Sequence, residues 1–67
     1  MTKFGENLTR LREERGLTQR ELADISGVPK GSIGNYETGS YLPRIGNILK
    51  LAKVLGRGVI VKEDVRD

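Results

Sequence analysis

Cysteine and histidine are both absent from this chain of 67 residues. Their absence excludes disulfides, zinc sites built from thiols and imidazoles, and catalysis by a histidine or a cysteine. Carboxylates are also metal ligands, but the chain has no D-x-D-x-D-G run of the kind that binds calcium. We therefore expect no metal site, no cofactor, no catalytic residues and no enzymatic activity.

Long apolar runs are absent as well. No segment approaches the roughly 20 apolar residues that a transmembrane helix needs. The opening residues Met1–Phe4 are followed by charged residues rather than by the apolar core of a signal peptide. We expect no membrane association and a cytoplasmic location. One domain of this size buries roughly 60% of the surface that its unfolded chain exposes, so its stability is small.

Acidic residues are missing from one long segment. The formal net charge of the chain is +3, which by itself is only a weak indication of a polyanionic partner. Between Glu37 and Glu63, however, there is no aspartate or glutamate. The same segment carries five cationic residues, which are Arg44, Lys50, Lys53, Arg57 and Lys62. The distribution of charge favours a polyanion more than the net charge does.

Spacing and end signals predict two helices in the first part of the chain. An apolar stripe at helical spacing predicts a first helix over about residues 3–15. The second helix begins with the capping box Thr18-Gln19-Arg20-Glu21. In this motif the hydroxyl of Thr18 accepts from the amide of Glu21, and the carboxylate accepts from the amide of Thr18. Gly27 is expected to end this helix after two turns.

A third helix is predicted from residue 29 or 30 to residue 37. Pro29 suits a first helical position because the amide there has no partner within the helix. Gly39 supplies the stop. Gly31 and Gly34 are unusual inside a helix, since each costs up to about 1 kcal/mol relative to alanine. Either the helix is weak or another requirement favours the two glycines.

Apolar residues recur at helical spacing in the last third of the chain: Ile45, Ile48, Leu49, Ala52 and Leu55. They predict a fourth helix that begins at residue 43 or 44 and ends at Gly56. The segment Gly58-Val59-Ile60-Val61-Lys62 is β-branched and bounded by glycine, which predicts a short strand. The chain is therefore divided into a helical domain, residues 3–56, and an extended tail, residues 57–67.

The second and third helices, with a glycine turn between them, have the spacing of a helix-turn-helix. Short motifs run through the chain around them: Leu8-x-x-Leu11-Arg12, Gly16-Leu17-Thr18-Gln19-x-Glu21-Leu22-Ala23, Gly27-Val28, Ser32-Ile33, Tyr36-Glu37-x-Gly39, Pro43 and Leu49-x-Leu51-Ala52-x-x-Leu55-Gly56. In these motifs the chain resembles the lambda-repressor/Cro-like helix-turn-helix family, often called the XRE family. The resemblance covers about residues 6–56. It implies a compact all-α, four-to-five-helix DNA-binding domain, here followed by a short C-terminal extended segment.

The resemblance assigns DNA contacts to eleven residues: Gln19, Pro29, Lys30, Gly31, Ser32, Gly34, Asn35, Thr38, Ser40, Tyr41 and Arg44. Gln19 and the loop from Thr38 to Arg44 are expected at phosphates. Lys30 is expected at a guanine edge or a phosphate, and Asn35 at an adenine edge or the DNA backbone. For Gln19 and Lys30 the alternative is a plain solvated side chain, and for Asn35 it is a helix-end hydrogen bond.

The resemblance also implies one structural pair. Arg12 and Glu37 match residues that in several family members form a salt bridge between the first helix and the end of the third. The alternative is two separate surface charges. Two of the assigned contacts have alternatives within the protein, since Ser32 can bond within its own helix and Tyr41 can pack against the first helix.

The chain departs from the family at two places. The recognition helix usually carries several long polar side chains, but here Gly31 and Gly34 carry none. Either the backbone approaches the bases closely, so that methyl groups and DNA shape carry specificity, or the surface serves a protein partner. The second departure is the tail, because a lone strand exposes unpaired backbone groups. The simplest way to pair these backbone groups is for residues 58–65 to pair with the same residues of a second copy across a two-fold axis.

Together these features predict a sequence-specific DNA-binding transcriptional regulator. We expect a repressor that binds double-stranded DNA as a homodimer, on a pseudo-palindromic operator, with the third helix in the major groove. The alternative is a protein-interaction module, such as an antitoxin or anti-repressor, with secondary DNA binding.

Overall fold

The computed structural model describes residues 3–60 of the chain. The elements in chain order are α1 (Lys3–Glu14), α2 (Gln19–Ser26), α3 (Lys30–Thr38), α4 (Ile45–Leu55) and a 3-10 turn (Arg57–Val59). No strand occurs in this part of the chain. The predicted all-α architecture is confirmed. None of the four described helices is long and apolar enough to cross a membrane.

Both ends of α2 are set by local hydrogen bonds. The amide of Glu21 donates to the hydroxyl of Thr18 at 3.0 Å, and the amide of Thr18 donates to Oε1 of Glu21 at 2.8 Å. This is the predicted capping box. At the other end Gly27 adopts the left-handed conformation with φ 82°, and its amide donates to the carbonyl of Ala23. Hydrogen bonds between residues close in sequence therefore fix where α2 begins and where it ends.

α3 is helical although two of its nine residues are glycines. Ile33 is 0% exposed and Tyr36 is 6% exposed, so the inner side of the helix is buried in the core. Burial of such side chains stabilises short helices more than intrinsic propensity does. The left-handed Gly39 then ends the helix, with its amide donating to the carbonyl of Tyr36 at 3.2 Å.

One core joins all four helices and the final turn. Its buried apolar residues are Phe4, Leu8, Leu11, Leu22, Val28, Ile33, Tyr36, Leu51, Leu55 and Val59. The rings of Phe4 and Tyr36 meet edge to face, with centroids 6.2 Å apart and planes at 73°. This pair joins the start of α1 to the inner side of α3, so α1 supports the helix that carries the candidate site.

The backbone of α1 lies directly against the end of α3. A Cβ atom on Gly5 would lie 2.8 Å from the carbonyl oxygen of Glu37, and still closer to that of Tyr36. Real Cβ atoms do not approach backbone oxygens this closely. The approach of the two helices therefore requires glycine at position 5.

The C-terminal turn differs from the predicted strand. Arg57–Val59 form a 3-10 turn, and the amide of Ile60 donates to the carbonyl of Arg57 at 3.0 Å. Val59 is 0% exposed because the turn packs on α1 and α4. The side chain of Asn7 donates to the carbonyl of Gly58. Burial of Val59 thus outweighs its strand propensity. Residues 61–67, which include most of the predicted dimer strand, lie outside the described residues.

Candidate nucleic-acid interface

A tightly anchored turn joins α2 to α3. Gly27 bends the chain through its left-handed conformation, and Val28, which is 1% exposed, inserts into the core. The amide of Val28 donates to the hydroxyl of Ser26 at 3.1 Å. Pro29 follows as the N-cap of α3 with φ −57°. The sequence predicts Pro29 at a first helical position and a helix start at residue 29 or 30, and the structure starts the helix at Lys30, one residue after Pro29. Val28 is thus a buried anchor between a left-handed glycine and a proline of fixed φ, and this sequence sets the direction in which α3 leaves the turn.

The side of α3 that faces away from the core is the candidate DNA-reading surface. Ile33, Tyr36 and Glu37 are buried on the inner side of the helix. The positions assigned from the sequence all remain accessible: Pro29, Lys30 and Gly31 are exposed, and Ser32, Gly34 and Asn35 are half-buried. The structure therefore leaves all six of these positions accessible along α3 and its N-cap.

Packing within the protein gives no reason for glycine at position 31. A Cβ atom there would meet nothing within 4 Å, and a Cβ atom on Gly34 would meet only Oε1 of Gln19, at 3.8 Å. Neither residue has a positive φ. The cost of two helical glycines, up to about 1 kcal/mol each, is not offset by contacts within the described residues. The bare backbone of α3 is consistent with close approach by an external surface.

A buried ion pair holds α1 against α3. Nε of Arg12 donates to Oε2 of Glu37 at 2.7 Å, and Nη2 donates to Oε1 at 3.1 Å. The side chains are only 12% and 7% exposed. Nη1 of Arg12 also donates to the carbonyl of Leu17 at 2.7 Å. The hydrogen bond to Glu37 raises the pKa of Arg12, although burial opposes the shift. The ion pair therefore favours the charged form of a guanidinium that is protonated in proteins in any case.

Gln19 extends this network to the first residue of α2. Its Nε2 atom donates to Oε1 of Glu37 at 2.9 Å. The sequence assigned Gln19 to a phosphate. An amide nitrogen has two N–H donors, so one bond to Glu37 is compatible with a second to a phosphate oxygen. In the structure Gln19 lies beside Gly34 and links α2, α3 and the Arg12–Glu37 pair.

The loop from Thr38 to Arg44 carries hydroxyl groups at the end of α3. The hydroxyl of Thr38 donates to the carbonyl of Asn35 at 3.1 Å and lies 2.9 Å from the hydroxyl of Ser40. The amide of Ser40 donates to the same carbonyl at 2.9 Å. Tyr41 is 64% exposed, so its ring lies outside the core. Packing of Tyr41 into the core beside α1 is therefore not what the structure shows.

Arg44 lies at the start of α4. It is exposed and serves as the N-cap without a side-chain hydrogen bond. The first turn of α4 has no acidic residue, and none occurs anywhere from residue 38 to residue 60. Helix N-termini favour anions because their first amides have no partner within the helix. The loop and the start of α4 therefore form a surface suited to negative charge, next to the end of α3.

Two positioning contacts were not predicted. Nδ2 of Asn47 donates to the hydroxyl of Tyr36 at 2.7 Å and so ties α4 to α3. No sequence signal identifies this pair, because an asparagine in a helix has many alternative partners. Gly5 is the other omission. A glycine inside a helix is unfavourable relative to alanine, and this cost was the one sequence signal that another element approaches the helix closely at this position.

The fold and the site define a helix-turn-helix protein, with α2 and α3 as its two helices. A helix-turn-helix family model matches residues 8–60. The chain therefore belongs to this helix-turn-helix family, the XRE or lambda-repressor-like class that its motifs resembled.

Relatives of the chain are transcriptional regulators by name. It is 46% identical over 56 residues to the transcriptional repressor RghR of Bacillus subtilis, covering 82% of this chain and 42% of RghR. It is 36% identical over 53 residues to the prophage-derived regulator YonR of the same organism, covering 79% and 49%. The chain thus spans about half the length of these relatives, or less.

A solved structure matches nearly end to end. The restriction-modification controller protein C.AhdI from Aeromonas hydrophila superimposes with a TM-score of 0.80 and 39% sequence identity. The match covers 87% of this chain and 92% of C.AhdI. A protein of almost the same extent thus shares this fold.

Proposed function

We propose that the chain is a sequence-specific DNA-binding transcriptional regulator that represses by occupying its operator. One observation carries this proposal. The outer side of α3 is accessible and carries two glycines with no side chains. The buried Arg12–Glu37 pair holds this helix against α1. Next to the end of α3 lies a basic surface without acidic residues. Such a helix suits the major groove, and the neighbouring surface suits the phosphates. No catalytic step is part of the proposal.

The residues divide into two groups by the part of DNA that they contact. Lys30 and Asn35 are the long polar side chains of the outer side of α3 and contact base edges. Gly31 and Gly34, with Pro29 before them, let the helix backbone approach the bases. The phosphate contacts come from the remaining assigned residues: Gln19, Ser32, Thr38, Ser40, Tyr41 and Arg44.

One nine-residue helix reads one half-site. We propose that two copies of the chain bind a pseudo-palindromic operator whose half-sites lie one helical turn apart, about 34–36 Å. A protein that occupies a promoter in this way represses transcription because it keeps the transcription machinery away. The name of the relative RghR as a repressor supports repression rather than activation. We also propose a cytoplasmic location, which is where the genome lies in bacteria such as Bacillus subtilis, the source of both relatives.

Salt dependence tests whether the surface reads phosphates. Affinity for a random-sequence duplex library is measured at several salt concentrations. For a phosphate-reading protein, log K falls by about 0.9 per neutralised phosphate for each tenfold rise in salt. Arg44→Ala is expected to reduce this slope by about 1. Arg10→Ala is the control, because Arg10 pairs with Glu14 on the outer side of α1. No binding at low salt would contradict the proposal.

Sequence selection tests the roles on α3. Lys30→Ala and Asn35→Ala are expected to alter the sequences selected from the library and to reduce discrimination at one base pair by roughly tenfold or more. Arg44→Ala should weaken binding to all sequences alike. Gln19→Ala is expected to do the same, although it also removes the hydrogen bond to Glu37. An altered selection by Arg44→Ala, with none by Asn35→Ala, would mean that α3 docks in another orientation.

A further inference from the structure

The start of α4 has few attachments to the rest of the domain. The buried residues of α4 are Leu51 and Leu55, and both lie in its second half. In its first half Ile45 is 70% exposed, and Ile48 is only partly buried against the core. The preceding loop adds little, because residues 41–43 make no hydrogen bond within the described part of the chain. Core packing therefore fixes the end of α4 more firmly than its start.

The backbones of α3 and α4 have little direct contact. α3 packs on α1 and α2, whereas α4 packs on α2 and on the 3-10 turn. Among residues 3–60 a single hydrogen bond joins α3 to α4, in which Nδ2 of Asn47 donates to the hydroxyl of Tyr36 at 2.7 Å. Asn47 lies in the first turn of α4. This bond therefore attaches the weakly held start of α4 to α3.

The hydroxyl of Tyr36 is the fixed end of this bond. The ring of Tyr36 is buried and meets the ring of Phe4 edge to face. The next residue, Glu37, is bonded to Arg12 of α1. Asn47, by contrast, is half-buried on a helix whose first turn is largely exposed. The start of α4 therefore takes its position from α3, and not the reverse.

The groups that this bond positions belong to the surface that the proposed function places at the phosphates. Arg44 is the N-cap of α4, and its carbonyl accepts from the amides of Asn47 and Ile48, each at 3.0 Å. A shift of Asn47 therefore moves Arg44 with it. Phosphate contacts set the register of a protein on the duplex, so the surface that makes them has to lie at a fixed distance from the helix that reads the bases.

We propose that Asn47 and Tyr36 are positioning residues for DNA binding, because their hydrogen bond holds the phosphate-contacting start of α4 in place relative to α3. This inference rests on the proposed function. Tyr36 is too deeply buried to touch DNA and acts only through Asn47. Since the bond orders the start of α4 in the free protein, DNA binding does not have to order it.

Hydrogen exchange of the full chain without DNA tests whether the bond holds α4. Tyr36→Phe removes the hydroxyl and keeps the ring. The amides of Asn47 and Ile48 should then exchange roughly two- to tenfold faster, as expected for the loss of one hydrogen bond. The internal reference is the amide of Leu22, which donates to the carbonyl of Thr18 at the start of α2, and its exchange should change less. Equal changes at both places, or none at Asn47 and Ile48, would overturn the proposal.

Affinity for a duplex selected from the library tests the effect on DNA binding. Tyr36→Phe and Asn47→Ala should each weaken binding roughly two- to tenfold, which corresponds to one hydrogen bond. The selected sequence should stay the same, because α3 keeps its place on α1 and α2. The matched control is Asn7→Ala. Asn7 is also half-buried, and its side chain donates to the carbonyl of Gly58 between two elements away from the assigned DNA contacts. This variant should bind DNA as the wild type does, which separates positioning from a general loss of stability.

A double-mutant cycle with Arg44→Ala provides the readout that is specific to positioning. Arg44→Ala should reduce affinity at least twofold less in the Tyr36→Phe protein than in the wild type, because Arg44 is then no longer held at its phosphate. Asn35→Ala should reduce affinity equally in both proteins, since its own helix has not moved. Circular dichroism checks that each variant is folded.

Three results of the DNA measurements would overturn the proposal. The first is wild-type affinity of Tyr36→Phe, and the second is additivity of Tyr36→Phe with Arg44→Ala. The third is a loss of affinity in Asn47→Ala but not in Tyr36→Phe, which would mean that Asn47 contacts DNA directly. A wild type that binds no DNA would overturn the proposed function and the DNA step of this inference, while hydrogen exchange would still decide whether the bond holds the start of α4.

Discussion

Replacing Glu37 by alanine is expected to lower the free energy of unfolding by about 3–5 kcal/mol, because it removes both charged hydrogen bonds to the largely buried guanidinium of Arg12. Only the carbonyl of Leu17 and the exposed carboxylate of Glu13, 3.9 Å away, then remain near its charge. The side chain of Arg12 is 12% exposed and cannot recover its hydration without moving. Small domains of this size rarely have more than about 3–5 kcal/mol of stability in total. The variant should therefore be largely unfolded at 25 °C, which thermal and urea denaturation followed by circular dichroism will show.

The control for this prediction is Glu14→Ala. Glu14 pairs with Arg10 at 3.0 Å, but both side chains are more than half exposed, so the change should stay within about 1 kcal/mol. The double variant Arg12→Met, Glu37→Leu separates loss of the pair from burial of a lone charge. It should be more stable than Glu37→Ala, because apolar side chains of similar size replace a buried ion pair at little cost. Equal stability of Glu37→Ala and wild type would show that the pair does not support the fold.

Replacing Gly5 by alanine is expected to destabilise the domain by about 2–3 kcal/mol, since one added methyl group forces α1 away from α3. The atoms that the new Cβ would meet are the backbone carbonyls of Tyr36 and Glu37, which cannot rotate away as side chains do. Separating the helices also disturbs the edge-to-face contact of Phe4 with Tyr36 and the Arg12–Glu37 pair. Urea denaturation measures the change in stability.

Gly31→Ala is the matched control for Gly5→Ala. Both glycines are helical, but a Cβ atom at position 31 meets nothing within 4 Å. This variant should gain up to about 1 kcal/mol of stability through helix propensity alone. If the bare side of α3 serves close approach to the bases, the same variant should lose DNA affinity while gaining stability. A stabilising effect of Gly5→Ala would mean that α1 and α3 are farther apart than the structure has them.

Local signals identified the elements of the recognition unit correctly. The capping box at Thr18 and Glu21 and the left-handed stop at Gly27 depend on hydrogen bonds between residues at most four positions apart. Such interactions are contained in a short stretch of sequence and form in the same way in many proteins. The third helix was located by its end signals in spite of its two glycines, although its stability comes from the burial of Ile33 and Tyr36.

Periodicity was less informative about which side of α4 is covered. Ile45 and Leu49 are apolar at the right spacing for the core, yet they are 70% and 53% exposed. A helical stripe shows that a side chain can be buried, but the position of the neighbouring elements decides whether it is. The same reason explains the tail, where the β-branched Val59 forms part of a 3-10 turn because its burial on α1 and α4 is available.

The sequence by itself determined the helix-turn-helix: its two helices, the turn between them, the family, and the side of α3 that faces outward. These depend on short-range bonding and on a pattern that spans one supersecondary unit. Only the tertiary structure decided that the carbonyls at the end of α3 leave no room for a Cβ atom at Gly5. It also decided that Gln19 bonds to the Arg12–Glu37 pair. The exposure of Leu42, Ile45 and Leu49 likewise follows from the tertiary structure alone. Each of these depends on how closely elements distant in sequence approach one another, and packing of the whole core sets those distances.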